Sequence, residues 1–351
     1  MTSTDLNSEY SQILLARADQ TEQQEHLAAE SVEALRRGGA FALRTPAEHG
    51  GMWGDATTVA RRLTGLGRAC PSAAWVAGTC ATAKTILTGS FAEPVRKEAF
   101  ADPDALACGS GTPTARGVRT ADGIRVTGRW PNISGCEDAD WAGLALMVDG
   151  TYCFAYLPVG DLAIERTWHM AGMRGTGSHS LIATDLLVPE RWVTPGAMPG
   201  PRERPFYAIT VLAPVVGAAH GALDLIHAMF GTDRKPFMTS YTRMGESPGA
   251  RQWLAQASHL VARAERAMLD VAEASERDGQ TALDGAELAM ALAGAAQDCR
   301  AAAERMLDLH GASGLSASNP LQRYWRDIAV GSRHPHLNPY LAVERLGSAL
   351  V

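Results

Sequence analysis

The chain reads as an α+β protein built in three successive blocks: helices, then strands, then helices again. Two observations carry that reading. In the middle of the 351 residues, two Asp-Gly pairs (Asp122-Gly123 and Asp149-Gly150) each separate β-prone runs, and Asp-Gly supplies the backbone freedom that a two-residue hairpin needs. On either side lie Ala-rich stretches with helix start and stop signals. Because strands do not alternate with helices, the pattern argues against a doubly wound parallel sheet.

Taken in order, Leu14, Leu15, Leu27, Val32 and Leu35 lie among Ala, Glu and Gln as a helical pattern, with Gly38-Gly39 as the stop. Asp55 is placed to cap a second helix carrying Val59, Leu63 and Leu66, and Pro71-Ser72 opens a third through Trp75 and Ile86. Residues 1–104 form this first helical domain. Residues 105–200 are the β-domain: 117–120 and 124–130 flank one hairpin turn, 144–148 and 151–157 the other, and 179–188 is a further strand ended by Pro189. Residues 201–351 are helical. Ser247-Pro248 starts a long Ala-rich helix to about 278, another runs from about 282 to 309 and ends at Gly311, and these helices can pair in a four-helix bundle.

Bulk properties remove several function classes. A net charge of −6, with no Lys/Arg cluster, offers nucleic acid no basic field. No apolar run reads as long enough to cross a membrane, since the most apolar stretch, 209–219, is interrupted by Pro214. The first ten residues lack a secretory core, and six scattered cysteines form no CxxC pair; the expected place is the cytoplasm with reduced thiols. No metal cluster is expected, because His334 and His336 have no nearby carboxylate or cysteine set.

Several short segments, in order along nearly the whole chain, resemble the acyl-CoA dehydrogenase superfamily. They are Thr45-Pro-Ala-Glu-His-Gly-Gly51, Pro71-Ser-Ala-Ala-Trp-Val-Ala-Gly78, Gly128-Arg-Trp-Pro-Asn-Ile-Ser-Gly135 followed by Asp140-Trp141, Gly172-Met-Arg-Gly-Thr-Gly-Ser-His179, and Arg326-Asp327. The dehydrogenases of that superfamily carry a catalytic Glu eight residues after the Asp. Here the eighth residue after Asp327 is Pro335, which cannot be a base, and the seventh is His334. That spacing is similar to the two-component flavin-dependent monooxygenases, where an imidazole serves the flavin hydroperoxide.

The resemblance implies a helical domain, a β-barrel and a four-helix bundle, assembled as a homo-oligomer, a tetramer or a dimer. It implies reduced FMN or FAD as cofactor, delivered by a separate flavin reductase, and molecular oxygen as co-substrate. The chain has no GxGxxG fingerprint of its own. His334 and Ser134 are then the catalytic candidates, Ser134 matching the serine that approaches flavin N5. Ser110, Thr112, Trp130, Asn132, Ser134, Arg174, Gly175, Thr176 and Ser178 are the cofactor candidates, and Trp75 and His336 face the substrate. Asp308 stands where the dehydrogenases put a glutamine on the flavin diphosphate, and its negative charge tilts the choice towards FMN. For acid–base work His334 is expected to titrate near neutrality.

Read without the resemblance, Trp130 is a core residue, Ser134 a turn residue and the 334–336 segment a surface turn. Two other functions stay open at this point. One is an acyl-CoA dehydrogenase whose base has moved to Glu265 or Glu287; the other is a scaffold of the same fold that binds a ligand without redox chemistry. The substrate, a phenol, a polycyclic aromatic or an amino sugar, is not named by any motif.

Overall fold

The computed structural model describes residues 8–200 and 203–351. Six helices come first: α1 (Glu9–Ala16), α2 (Ala18–Gln24), α3 (Ala29–Arg37), α4 (Ala56–Ala69), α5 (Pro71–Ser90) and α6 (Glu93–Ala99). The expected start signals hold. The Asp55 carboxylate accepts from Thr58 N at 2.6 Å, and Pro71 sits in the first turn of α5, where its missing N–H costs nothing.

Seven strands follow: β1 (Ala107–Thr120), β2 (Gly123–Ile133), β3 (Trp141–Val148), β4 (Thr151–Pro158), β5 (Ala163–Glu165), β6 (His179–Val188) and β7 (Val193–Pro195). They form one sheet in the order β5-β6-β2-β1-β3-β4-β7, with β1 and β3 parallel and every other pair antiparallel. Both hairpins form, but in the first the two-residue turn is Ala121-Asp122, and Gly123 is already paired with Thr120 at the start of β2. In the β3–β4 turn Asp149 and Gly150 have φ of 46° and 83°, the two positive values a type I′ turn demands. The expected barrel is not closed, because β5 and β7 end the sheet and no ladder joins them.

The last block is α7 (Glu203–Phe230), α8 (Pro248–Ser275), α9 (Ala282–His310), α10 (Pro320–Gly331) and α11 (Pro339–Ala349). Ser247 caps α8 by accepting from Ala250 N, and Thr281 and Asp284 form a reciprocal capping box on α9. Contrary to the sequence reading, Pro214 does not break the apolar run. It lies inside α7, which is long and apolar enough by length and composition to cross a membrane, with 78% of its most apolar window buried within the protein. A proline at 214 leaves the Thr210 carbonyl without its helical donor, and α5 comes so close there that a Cβ on Gly78 would lie 2.2 Å from that oxygen. On the other flank, a Cβ on Gly67 would meet Pro214 O at 2.7 Å, and one on Gly217 would meet Thr64 O at 2.4 Å. A seam of glycines thus locks the first helical block onto the last.

A buried ammonium ties the first block together as well. Lys84, 1% exposed, donates to Phe41 O, Thr45 Oγ1 and Pro103 O at 2.7–3.0 Å, so all three of its donors are satisfied, with no carboxylate among the described residues in contact.

Candidate functional site

Where α5, the 3₁₀ turn of Arg174–Thr176, the end of β2 and the end of α10 converge, a loop is held by the Arg326-Asp327 pair. The Asp327 carboxylate accepts from Met173 N at 2.5 Å, and Arg326 donates to Ala171 O and pairs with Glu22. The two residues therefore brace the 171–173 loop rather than each other. Asp327 is 3% exposed, and burial raises its pKa from 3.8 to about 7. A Cβ on Gly172 would sit 2.1 Å from Arg326 O, so only glycine lets loop and helix meet this closely.

Above that brace runs a chain of side chains. Trp75 Nε1 donates to Ser134 Oγ at 3.1 Å, Ser134 Oγ lies 2.8 Å from Ser178 Oγ, and Ser178 Oγ lies 2.7 Å from Thr176 Oγ1. Thr176 Oγ1 donates to Met173 O at 2.8 Å. All four side chains are buried, Ser134 the least so at 8% exposure. On its other side Trp75 meets His334 edge-on, with ring centroids 5.5 Å apart, and His334 lies 5.1 Å from His336. Ser134, Trp75, His334, His336, Thr176 and Ser178, chosen from four separate stretches of sequence, thus form one continuous cluster.

His334 does not titrate near neutrality as expected. Burial, with a smaller push from His336, lowers its pKa to about 3, and burial with Arg345 and Arg204 lowers that of His336 to about 4. His334 Nδ1 accepts from His336 N at 3.3 Å, which leaves Nε2 as the protonated, donating nitrogen of a neutral ring. His336, and not His334, borders a cavity of about 400 Å³, lined also by Arg204, Ala208, Leu292, Glu344 and Arg345.

The other sequence candidates take no part in the hydrogen-bonded chain, although Arg174 and Gly175 share the turn of Thr176. Trp130, expected as a flat wall for flavin, is fully buried, and its Nε1 donates to Ala145 O at 2.6 Å. Its period-2 register with Ile124 and Val126 on β2 turns it into the core, so it presents no open face. Asn132 is exposed with φ of 61°, at the register shift between Trp130 and Ile133. Ser110 and exposed Thr112 sit at the irregularity of β1, where Thr112 N donates to Ser110 Oγ. Gly175 packs on Thr21, and Arg174 reaches Glu25 at 2.7 Å while its buried Nε has no partner. Met173 and Trp168, whose Nε1 also donates to Met173 O, belong to the site as well; Met173 stands within the Gly172–His179 segment, but neither was a site candidate. Glu265, a candidate displaced base, is bound to His220 at 3.0 Å, and Glu287 is exposed on α9. Among the described residues no group of His, Cys, Asp and Glu could hold a metal ion.

The arrangement fits a flavin. Ser134 keeps an unfilled hydrogen-bonding position within a buried polar chain, and Arg174 Nε is an orphaned donor nearby in sequence to the same turn. The chain belongs to the two-component flavin-dependent monooxygenases, as an oxygenase component within the acyl-CoA dehydrogenase superfamily, on the strength of its relatives. Residues 209–339 match the model of the acyl-CoA dehydrogenase C-terminal domain. Over 360 aligned residues the chain is 32% identical to the FADH(2)-dependent resorcinol hydroxylase oxygenase component of a Rhizobium species, covering 92% of this chain and 87% of that one. It is 28% identical to the HsaA oxygenase subunit of a flavin-dependent monooxygenase from Rhodococcus jostii, over 95% and 94% of the two chains. Among solved structures, XiaF from a Streptomyces species, in complex with FADH2 and glycerol, superposes with a TM-score of 0.91 at 27% identity, over 97% and 93% of the two chains. The protein is accordingly an oxidoreductase that uses reduced flavin and molecular oxygen on a small molecule, with a separate reductase as partner. The dehydrogenase and scaffold alternatives are not favoured.

Proposed function

We propose that the protein hydroxylates an aromatic compound carrying negative charge, with His334 as the residue that holds the substrate oxygen and Ser134 as the residue that meets the flavin. Bound reduced flavin supplies the activation of oxygen and the transfer of one oxygen atom. The observation that carries the reading is the contact chain from His334 through Trp75 to Ser134, which joins a substrate-side imidazole to a flavin-side hydroxyl inside one buried cluster. As a neutral ring with its proton on Nε2, His334 acts by donating a hydrogen bond to a phenolic oxygen, since a group with a pKa of about 3 is a weak base at neutral pH.

The 400 Å³ cavity supports the substrate class. Its apolar floor suits a ring, and among the described residues neither Arg204 nor Arg345 has a carboxylate within ion-pair distance; Glu344 is the acidic lining residue. An anionic substituent would answer those guanidinium groups. We further propose reduced FAD as the flavin, on the strength of the FADH2 named for the Rhizobium and Streptomyces relatives. Asp308 is exposed, so solvent screens the charge that had pointed to FMN. Buried free cysteines, six in all, support a reducing cytoplasmic setting, and exposed Phe237, Met238 and Tyr340 support association with further copies.

Product analysis with reduced flavin and oxygen tests the assignment. His334→Ala should cut product by ~10²–10⁴-fold, the usual worth of a positioned acid–base group, while flavin is still consumed and hydrogen peroxide accumulates. His336→Ala should do much less. Equal behaviour of the two variants, or full coupling in His334→Ala, makes His334 a structural residue.

A further inference from the structure

We infer that Thr176 and Ser178 are positioning residues which fix Ser134 as a hydrogen-bond acceptor towards the flavin, so that the site selects the reduced cofactor. The inference rests on the proposed contact between Ser134 and flavin N5, and adds to it a direction.

The direction follows from counting protons. A hydroxyl has one hydrogen and two lone pairs. Met173 O can only accept, so at 2.8 Å the Thr176 hydrogen must point to it. Thr176 Oγ1 then has no hydrogen left for its 2.7 Å contact with Ser178, and Ser178 is the donor there. By the same logic Ser134 donates across the 2.8 Å contact to Ser178. At the far end, the Trp75 indole can only donate, and it does so into Ser134 Oγ. The chain therefore runs one way: Trp75 N–H to Ser134, Ser134 to Ser178, Ser178 to Thr176, Thr176 to the Met173 carbonyl.

What remains at Ser134 is one lone pair and no hydrogen. Any group that completes this hydroxyl must bring an N–H or O–H of its own. Reduced flavin carries a hydrogen on N5, whereas oxidised flavin offers there only a lone pair, which would face another lone pair. Burial makes the mismatch costly, because no water replaces the missing bond. The oxygenase would thus take reduced flavin and release the oxidised form by a hydrogen-bond polarity set at the Met173 carbonyl, two side chains away from Ser134.

Two variants turn the polarity round without touching Ser134. In Ser178→Ala the Ser134 hydrogen loses its acceptor and is free to face the flavin. In Thr176→Val the Ser178 hydrogen loses its acceptor and turns back onto Ser134, which releases the Ser134 hydrogen in the same way. Thr176→Ser keeps the hydroxyl and should behave as wild type. The readout is the two-electron potential of bound flavin, measured by anaerobic spectroelectrochemistry, with Kd values for FAD and FADH2 from titration. Wild type should bind FADH2 more tightly than FAD. Each reversing variant should lower that preference by roughly tenfold, a single hydrogen bond's worth, equivalent to a potential lower by ~30 mV. Unchanged potentials in both, with a shift in Ser134→Ala, would overturn the relay and leave the Ser134–flavin contact standing. No shift in any of the three, Ser134→Ala included, would remove that contact and the relay with it. If Thr176→Val fails to fold by circular dichroism, Ser178→Ala decides the matter alone.

Discussion

Replacing His334 by glutamine should remove an acid sensitivity that burial creates. The imidazole has a pKa lowered from 6.5 to about 3, first by burial and then by His336. Since the folded value lies below the unfolded one, the unfolded chain takes up a proton that the folded chain refuses. Stability is therefore complete above about 6.5 and is lost as the pH falls towards about 3. At pH 5 the loss amounts to about 2 kcal/mol. Asp327 acts in the opposite sense. Its pKa is raised from 3.8 to about 7, so its contribution is full below 3.8 and disappears as the pH rises through about 7. The wild-type profile mixes the two, and only the difference between variant and wild type isolates the histidine. Glutamine is of similar size and does not titrate. Urea unfolding of the flavin-free protein at pH 7.5 and pH 5 measures that difference. On moving to pH 5, His334→Gln should gain about 2 kcal/mol on wild type. Parallel profiles would refute the claim that the folded protein holds this ring neutral.

Gly172→Ala should lower stability by ~1–3 kcal/mol or more and impair flavin binding, because its Cβ would meet Arg326 O at 2.1 Å; thermal melts and flavin titration check both. Asp327→Asn should be tolerated at neutral pH, since an amide oxygen can still accept from Met173 N, whereas Asp327→Leu leaves that buried N–H unpaired at ~1–3 kcal/mol, as urea unfolding would report. Light scattering at micromolar concentration should find an oligomer, and alanine at Phe237 and Met238, 91% and 88% exposed, should weaken it.

What the sequence disclosed and what it hid have separate physical causes. Local signals were legible wherever backbone chemistry decides alone: the Asp149-Gly150 turn, the Asp55 cap, the Pro71 and Ser247-Pro248 starts. The cluster of Trp75, Ser134 and His334 was legible only through resemblance, since 59 residues separate the first two and nothing local links them. The burial of Trp130 was not legible in its motif, because a motif position does not say which face of a strand a residue takes, and the alternation with Ile124 and Val126 puts it inside. Pro214 misled because a helix deep in a bundle tolerates a proline that an isolated helix would not. The pKa of His334 was beyond reach, because it depends on burial contributed by distant segments.

The glycine seam around Pro214 has a consequence for anyone who would cut or recombine this protein. By sequence the chain divides at about 104 and 200, which invites exchange of its end blocks between relatives. Yet Gly67 and Gly78 from the first block meet the backbone of α7 at distances no larger residue permits, and Gly217 returns the contact. A chimaera joined at those boundaries would bring one bare backbone face against a stranger's side chains. The two helical blocks are therefore inherited as a matched pair, and the β-domain between them is held to both in the same way, through Gly175 against Thr21 and Gly172 against Arg326.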